Sequence, residues 1–143
     1  MYPHGYYNKN FLPLLAIGHK YEKIASEKIE KRFNIRIAHF NNDYKYDFIT
    51  DEGIKYEVKA DFGSLKTGNF FIEYLEGTDK LTGISKTESH FYIITNSKEY
   101  YLIDTNKLKT LCNDAQTRST LKTKTKGYII KSSLLIANSE LLE

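Results

Sequence analysis

The chain has 143 residues, 41% of them apolar and 14% aromatic, with a formal net charge of +3. That is enough apolar material for one domain over residues 1–143 and too much for disorder along most of its length, and the mild basic excess suits a phosphate-binding surface without requiring one. The single cysteine, Cys112, excludes an internal disulfide and a cysteine-based zinc centre, and no secretion signal or membrane-long apolar run is visible, so a reducing cytoplasmic setting is expected.

Residues 1–11 are polar and aromatic and read as a loose arm, on which Tyr6 and Tyr7 could stack on bases or serve a dimer contact. Leu14, Ile17, Tyr21, Ile24, Ala25, Ile29 and Phe33 recur at helical spacing, which predicts a helix from Leu14 to Phe33 with Asn34 as its stop. A strand over Ile35–Phe40 and a turn at Asn41-Asn42-Asp43 follow. Tyr46–Thr50 and Ile54–Val58 suit strands, joined by Asp51-Glu52-Gly53. After a loop from Gly63 to Gly68 come a strand over Asn69–Leu75, a turn at Glu76-Gly77-Thr78 and a short helix within Leu81–Glu88. Phe91–Thr95 and Tyr100–Asp104 are strands around Asn96–Glu99. Thr105 is placed to cap a helix reaching Asn113, where Cys112 packs as a small apolar residue. Asp114–Gly127 reads as a polar loop, Tyr128–Ile130 as a strand, and Ser133 as the cap of a closing helix. This order fits an α/β fold with a mixed central sheet flanked by helices.

The hairpin carries the chemistry. With Gly53 supplying a left-handed residue, Thr50 faces Ile54, and counting outward sets Asp47 opposite Glu57. Facing side chains on antiparallel strands have Cβ atoms about 5 Å apart, so these carboxylates could share one cation. Tyr46, Phe48, Ile54, Tyr56 and Val58 alternate onto a core face. Asp47, Lys55, Glu57 and Lys59 fall on the other, where Ile49 is the one apolar residue. Two acids with a lysine two residues along the same face suit metal-assisted phosphodiester hydrolysis. A solvated, salt-bridged strand face would carry the same residues, and Asp43-Tyr44-Lys45 shows that such triplets also occur in polar loops here.

Tyr46-Asp47 followed by Glu57-Val58-Lys59 resembles the signature of the PD-(D/E)XK nuclease superfamily, over roughly Gly18 to Leu111, with Tyr46 where the family has proline. The resemblance implies a restriction-endonuclease-like core and a Mg²⁺-dependent (or Mn²⁺-dependent) endonuclease acting on DNA. It also implies a bacterial, archaeal or phage-infected host cell. Asp47, Glu57 and the main-chain carbonyl of Val58 would hold the metal. Lys59 would orient the attacking water or stabilise the charged phosphorane. An acid on the first helix is implied too, with Glu22 the first candidate and Glu27 the second; both also suit a solvated face with Lys23, Lys28 and Lys31. A Holliday-junction resolvase, working as a homodimer, is an alternative within the class. A DNA-binding or assembly protein on a nuclease fold is the alternative outside it.

Glu73, on a partly apolar strand face, and Asp61, just beyond Lys59, are further candidates for the site. Lys66 and Thr67 follow closely enough to meet the nucleic-acid backbone. Arg118, Lys122, Lys124 and Lys126 stand among hydroxyl side chains, the two residue types that hydrogen-bond phosphate. The histidines (His4, His19, His39, His90) show no metal spacing, and Gly63-Ser64-Leu65 with Gly68 does not form a nucleotide phosphate loop, so no nucleotide cofactor is expected.

Overall fold

The computed structural model describes residues 11–41, 43, 45–120 and 124–143, with side chains from Gly18 onward. Tyr6, Tyr7 and Lys122 lie outside the described residues. The first helix, α1 (Phe11–Phe33), begins before Leu14 and takes Pro13 into its first turn, where a missing N–H breaks no helical bond. Ala25 and Ile29 are fully buried on its inner face, with Tyr21 and Ile24 packed beside them. Lys31 and Arg32 in the last turn complement the negative end of the helix. Asn34 stops it at φ +53°, a left-handed conformation that asparagine tolerates.

In chain order there follow β1 (Ile37–Phe40), β2 (Phe48–Thr50), β3 (Lys55–Ala60), α2 (Ser64–Thr67), β4 (Asn69–Glu76) and β5 (Lys80–Leu81). A 3-10 turn (Gly83–Ser85) leads to β6 (Phe91–Thr95), β7 (Tyr100–Asp104), α3 (Thr105–Asn113), β8 (Gln116–Ser119), β9 (Thr125–Lys131), α4 (Ser132–Ala137) and β10 (Glu140–Leu142). The expected mixed sheet is present, six strands in the order β1-β2-β3-β6-β7-β10, with β3 and β6 parallel. A second, antiparallel sheet of four strands, β5-β4-β9-β8, was not expected. It arises because the polar stretch 114–127 is largely strand: β8 is exposed along its length yet pairs with β9, satisfying its backbone through the neighbour rather than through apolar burial. The caps also differ. Asp104, not Thr105, caps α3 by accepting from Asn106 and Lys107 N–H, and Lys131 stands at the start of α4 without a side-chain cap.

Two cores result. On one face of the six-stranded sheet, α1 covers Phe48, Tyr56, Val58, Ile93, Tyr100 and Leu102. On the other face, Tyr92, Ile94, Tyr101 and Ile103 meet Phe70, Ile72 and Ile130 of the second sheet, closed by Leu108 and Cys112 of α3 and Leu135 of α4. Strand β3 therefore lies between two packed layers. Among the described residues no helix is long and apolar enough to cross a membrane.

Gly83 marks a tight approach between the 3-10 turn and β4. Its φ is +51°, and a Cβ there would lie 2.2 Å from the Glu73 carbonyl oxygen. Gly83→Ala is expected to cost roughly 2–4 kcal/mol in urea unfolding, from left-handed strain plus a backbone clash.

Candidate active site

The hairpin forms with the register counted from the sequence: Phe48 faces Tyr56 and Ile49 faces Lys55. Gly53 closes the turn at φ +84°, and Thr50 Oγ1 accepts from Ile54 N–H at 3.1 Å. Phe48 stacks on Tyr56 and Tyr56 on Phe91, with ring centroids 5.1 and 5.5 Å apart, fixing the strands from the core side. Tyr46 departs from that face. It hydrogen-bonds His39 Nε2 at 3.2 Å and lies under the Lys55 ammonium.

At Asp47 the ladder becomes irregular. Its N–H donates to the Tyr56 carbonyl at 2.8 Å, so residues 47 and 48 share one partner, as in a β-bulge. Its Oδ2 accepts from Val58 N–H at 2.6 Å. The carboxyl thus lies on the backbone between Glu57 and Lys59 instead of merely facing Glu57. Tyr56 C=O and Val58 N–H both point to this side of β3. The N–H and C=O of one strand residue point the same way, so the Val58 carbonyl also faces this edge, past the end of β2.

Glu57 is 7% exposed, on the face of β3 opposite Tyr56 and Val58 and beside Tyr92 of β6. Lys59 Nζ stands 3.3 Å from Glu57 Oε1, on a side chain that is 47% exposed. From α1, Glu22 reaches the same place, close enough for the Asp47 and Glu57 carboxyls to raise its own. Burial, then the charge of Asp47, pushes the Glu57 carboxyl up to about 7. Burial, then the charge of Asp47, with Glu57 beyond, does the same for Glu22, also to about 7. Burial raises Asp47 as well, against the Val58 N–H and Lys59. For Lys59 burial pulls downward, but Glu57 and Asp47 outweigh it and push the ammonium above its usual range. Three carboxyls from α1, the β2 edge and β3 converge beside one persistent cation.

No protein-family model, curated protein or solved structure matches this chain.

The remaining candidates are distributed around this cluster. Glu73 of β4 lines a cavity of about 290 Å³ together with Lys59, Asp61 and Tyr92. Asp61 Oδ2 accepts from Phe71 N–H at 2.9 Å and its N–H donates to the Thr95 carbonyl, so it ties the end of β3 to both sheets. Glu27 is exposed on α1. Thr67 and Arg118 both line a second cavity, about 270 Å³, which also includes Asp61 and Phe71; Lys66 is exposed on α2, next to Thr67. Lys124 and Lys126 stand near the other end of β4, where Glu76 pairs with Thr125. The basic residues of 114–127 are thereby divided along a sheet instead of gathered in one loop.

His19 was not anticipated. It lies close enough to favour the charged form of Asp47. His19 and Glu22 are three residues apart on one helix, a spacing that places both on one face and could have been read from the sequence. Among the described residues no three carboxyl, imidazole or thiol groups are drawn into a preformed cation cage. The Lys59 ammonium acts as the counter-ion to Glu57.

Proposed function

We propose that this chain is a divalent-metal-dependent endonuclease that hydrolyses DNA phosphodiester bonds, on a restriction-endonuclease-like core. The observation that carries the reading is the convergence of Glu22, Asp47 and Glu57 in a mostly buried site with Lys59 at its edge. Buried carboxyls raised toward neutrality hold protons that a cation can replace.

The donor set fits Mg²⁺ or Mn²⁺. It offers hard oxygens only, and each of two carboxylates retains a second oxygen: Asp47 Oδ1 beside the Oδ2 engaged by Val58 N–H, and Glu57 Oε2 beside the Oε1 facing Lys59. The Val58 carbonyl adds a third donor. A bound divalent ion supplies an acidified water and neutralises charge developing on phosphorus. The chain's own groups do the rest. Lys59, kept protonated by its acid neighbours, donates to a phosphate oxygen. Glu22, beside Asp47, holds or releases a proton at the edge of the cluster. Thr67, Lys66 and Arg118 offer phosphate contacts further along.

Supercoiled plasmid incubated with Mg²⁺ is expected to be nicked and linearised, and EDTA to stop the reaction. Lys59→Met is expected to lower the rate by about 10²–10³-fold while leaving the circular dichroism spectrum intact, because the half-exposed ammonium supports transition-state charge rather than the core. A plasmid left uncut with either metal would overturn the assignment and leave a DNA-binding role for the same surface. Four-way junctions set against linear duplex separate a dimeric resolvase from a general endonuclease.

A further inference from the structure

The second sheet turns one face to the core, where Phe70, Ile72 and Ile130 meet the first sheet, α3 and α4. Its register puts a different set of residues on the other face. Phe71, Ile129 and Gln116 form one row across β4, β9 and β8, and Glu73, Gly127 and Arg118 form the next. Phe71, Glu73 and Ile129 are half-buried there; Gln116, Arg118 and Lys131, at the end of β9, are exposed.

Gly127 fixes the attitude of the Phe71 ring. A Cβ at Gly127 would have Cζ, Cε2 and Cε1 of that ring all within 2.7 Å. A ring approaching by its edge would hold both Cε atoms well beyond Cζ. The ring therefore lies face-down over the glycine and turns its other face away from the sheet. Among the described residues Phe71 has no aromatic ring contact. The Arg118 guanidinium, on the strand beside Gly127, has no hydrogen bond or ion pair among them either. Phe71 and Arg118 line one cavity, of about 270 Å³. Phe71 and Asp61 also line the cavity that includes Lys59, so this face runs on into the catalytic edge.

Charge selects the occupant. Arg118 and Lys131 on the face, with Lys66 at its border, outnumber Glu73, whose charge acts on Lys59. Asp61 is held by Phe71 N–H at 2.9 Å. An outward aromatic face beside an unpaired guanidinium suits a base and its phosphate: the ring stacks on the base, and the guanidinium donates to phosphate oxygens. Within a duplex each base face is covered by its neighbour, so a ring lying flat on a sheet serves an unpaired strand.

We infer that the outer face of the second sheet carries a single-stranded segment of the DNA substrate, one base stacking on Phe71 and the adjoining phosphate meeting Arg118. The inference rests on the nuclease reading and gives it a substrate class: DNA with an unpaired stretch beside the cut, as in a flap, a bubble or a branch.

The test is binding without chemistry, in EDTA, with the full chain. Fluorescence anisotropy compares a labelled DNA single strand with a duplex of the same length. The single strand is expected to bind at least about fivefold more tightly, the worth of one stacked base. Phe71→Leu keeps apolar cover over Gly127 and removes the stacking face. It is expected to weaken single-strand binding by about fivefold or more and to leave the salt dependence as it was. Arg118→Gln changes an exposed side chain, so folding is not at stake. It is expected to weaken single-strand binding by about three- to tenfold and to flatten the slope of log K against log salt by about 0.7, one phosphate contact. A single strand held no more tightly than duplex overturns the proposal. So does Arg118→Gln with wild-type affinity and salt slope, or a folded Phe71→Leu that binds like wild type. Mg²⁺-dependent plasmid cleavage by the unaltered protein is scored separately. Cleavage without the single-strand preference removes the platform alone, and the preference without cleavage removes the nuclease alone.

Discussion

Glu57→Gln is expected to abolish cleavage and to stabilise the protein at the same time. The carboxyl is 7% exposed, and its pKa is raised from 4.5 to about 7 by burial and by Asp47. At pH 8 it is ionised in both the folded and unfolded chain, and the folded environment penalises that charge by on the order of 1–3 kcal/mol. The amide has the same shape, can still accept from Lys59, and removes the penalty. A gain of that size corresponds to roughly 2–4 °C in melting temperature per kcal/mol. The same change takes away a metal oxygen, so plasmid cleavage in Mg²⁺ is expected to fall by about 10³-fold or more while DNA binding holds or tightens, one repelling charge having gone. Thermal melts and plasmid gels on one preparation check both arms. A variant that cuts at the wild-type rate, or melts lower at pH 8, refutes the site.

The second large effect is an inverted pH dependence. Glu22 and Glu57 are raised to about 7, and Asp47 is raised in the same direction. Between pH 4.5 and 7 the folded state then holds more protons than the unfolded state, so this contribution to stability is complete below about pH 4.5 and is lost as pH rises through about 7. In EDTA the melting temperature is therefore expected to fall from pH 5 to pH 8, opposite to ordinary acid denaturation. Mg²⁺ or Mn²⁺ competes with these protons and is expected to restore stability mainly above pH 7. At a hundredfold excess over Kd the gain is about 2.7 kcal/mol, and it shrinks toward pH 5. Differential scanning fluorimetry from pH 5 to 8, with EDTA and with each metal, gives the map. Stability climbing steadily with pH in EDTA, or a metal response of equal size at pH 5 and pH 8, is incompatible with the cluster.

The local chemistry of the site was legible because a hairpin is a local object. A glycine-closed turn and strict alternation set the pairing of Phe48 with Tyr56 without distant information. The helix over α1, its Asn34 stop and the strands β6 and β7 were legible for the same reason: their periods are carried by neighbouring residues. The second sheet was not. Strand β8 offers Gln116-Thr117-Arg118-Ser119, all exposed, with no apolar alternation to announce a strand; only its partner β9 makes it one. The burial of Glu57 was missed as well, since the strand beside it, with Tyr92 as its neighbour, comes some 35 residues later. The turn of the Asp47 carboxyl onto Val58 N–H depends on a bulge that a count of residues cannot register.

The parallel pairing of β3 with β6 bears on how the molecule avoids sticking to itself during folding. After β3 the chain passes through β4 and β5 before β6 arrives, so one side of the strand stays unpaired in the interval. An aromatic and aliphatic strand with a bare edge invites association between molecules. Here Lys55, Glu57 and Lys59 alternate with Tyr56 and Val58, and like charges on two such strands resist stacking in register. The charges assigned to hydrolysis in the finished protein would serve beforehand as guards against aggregation.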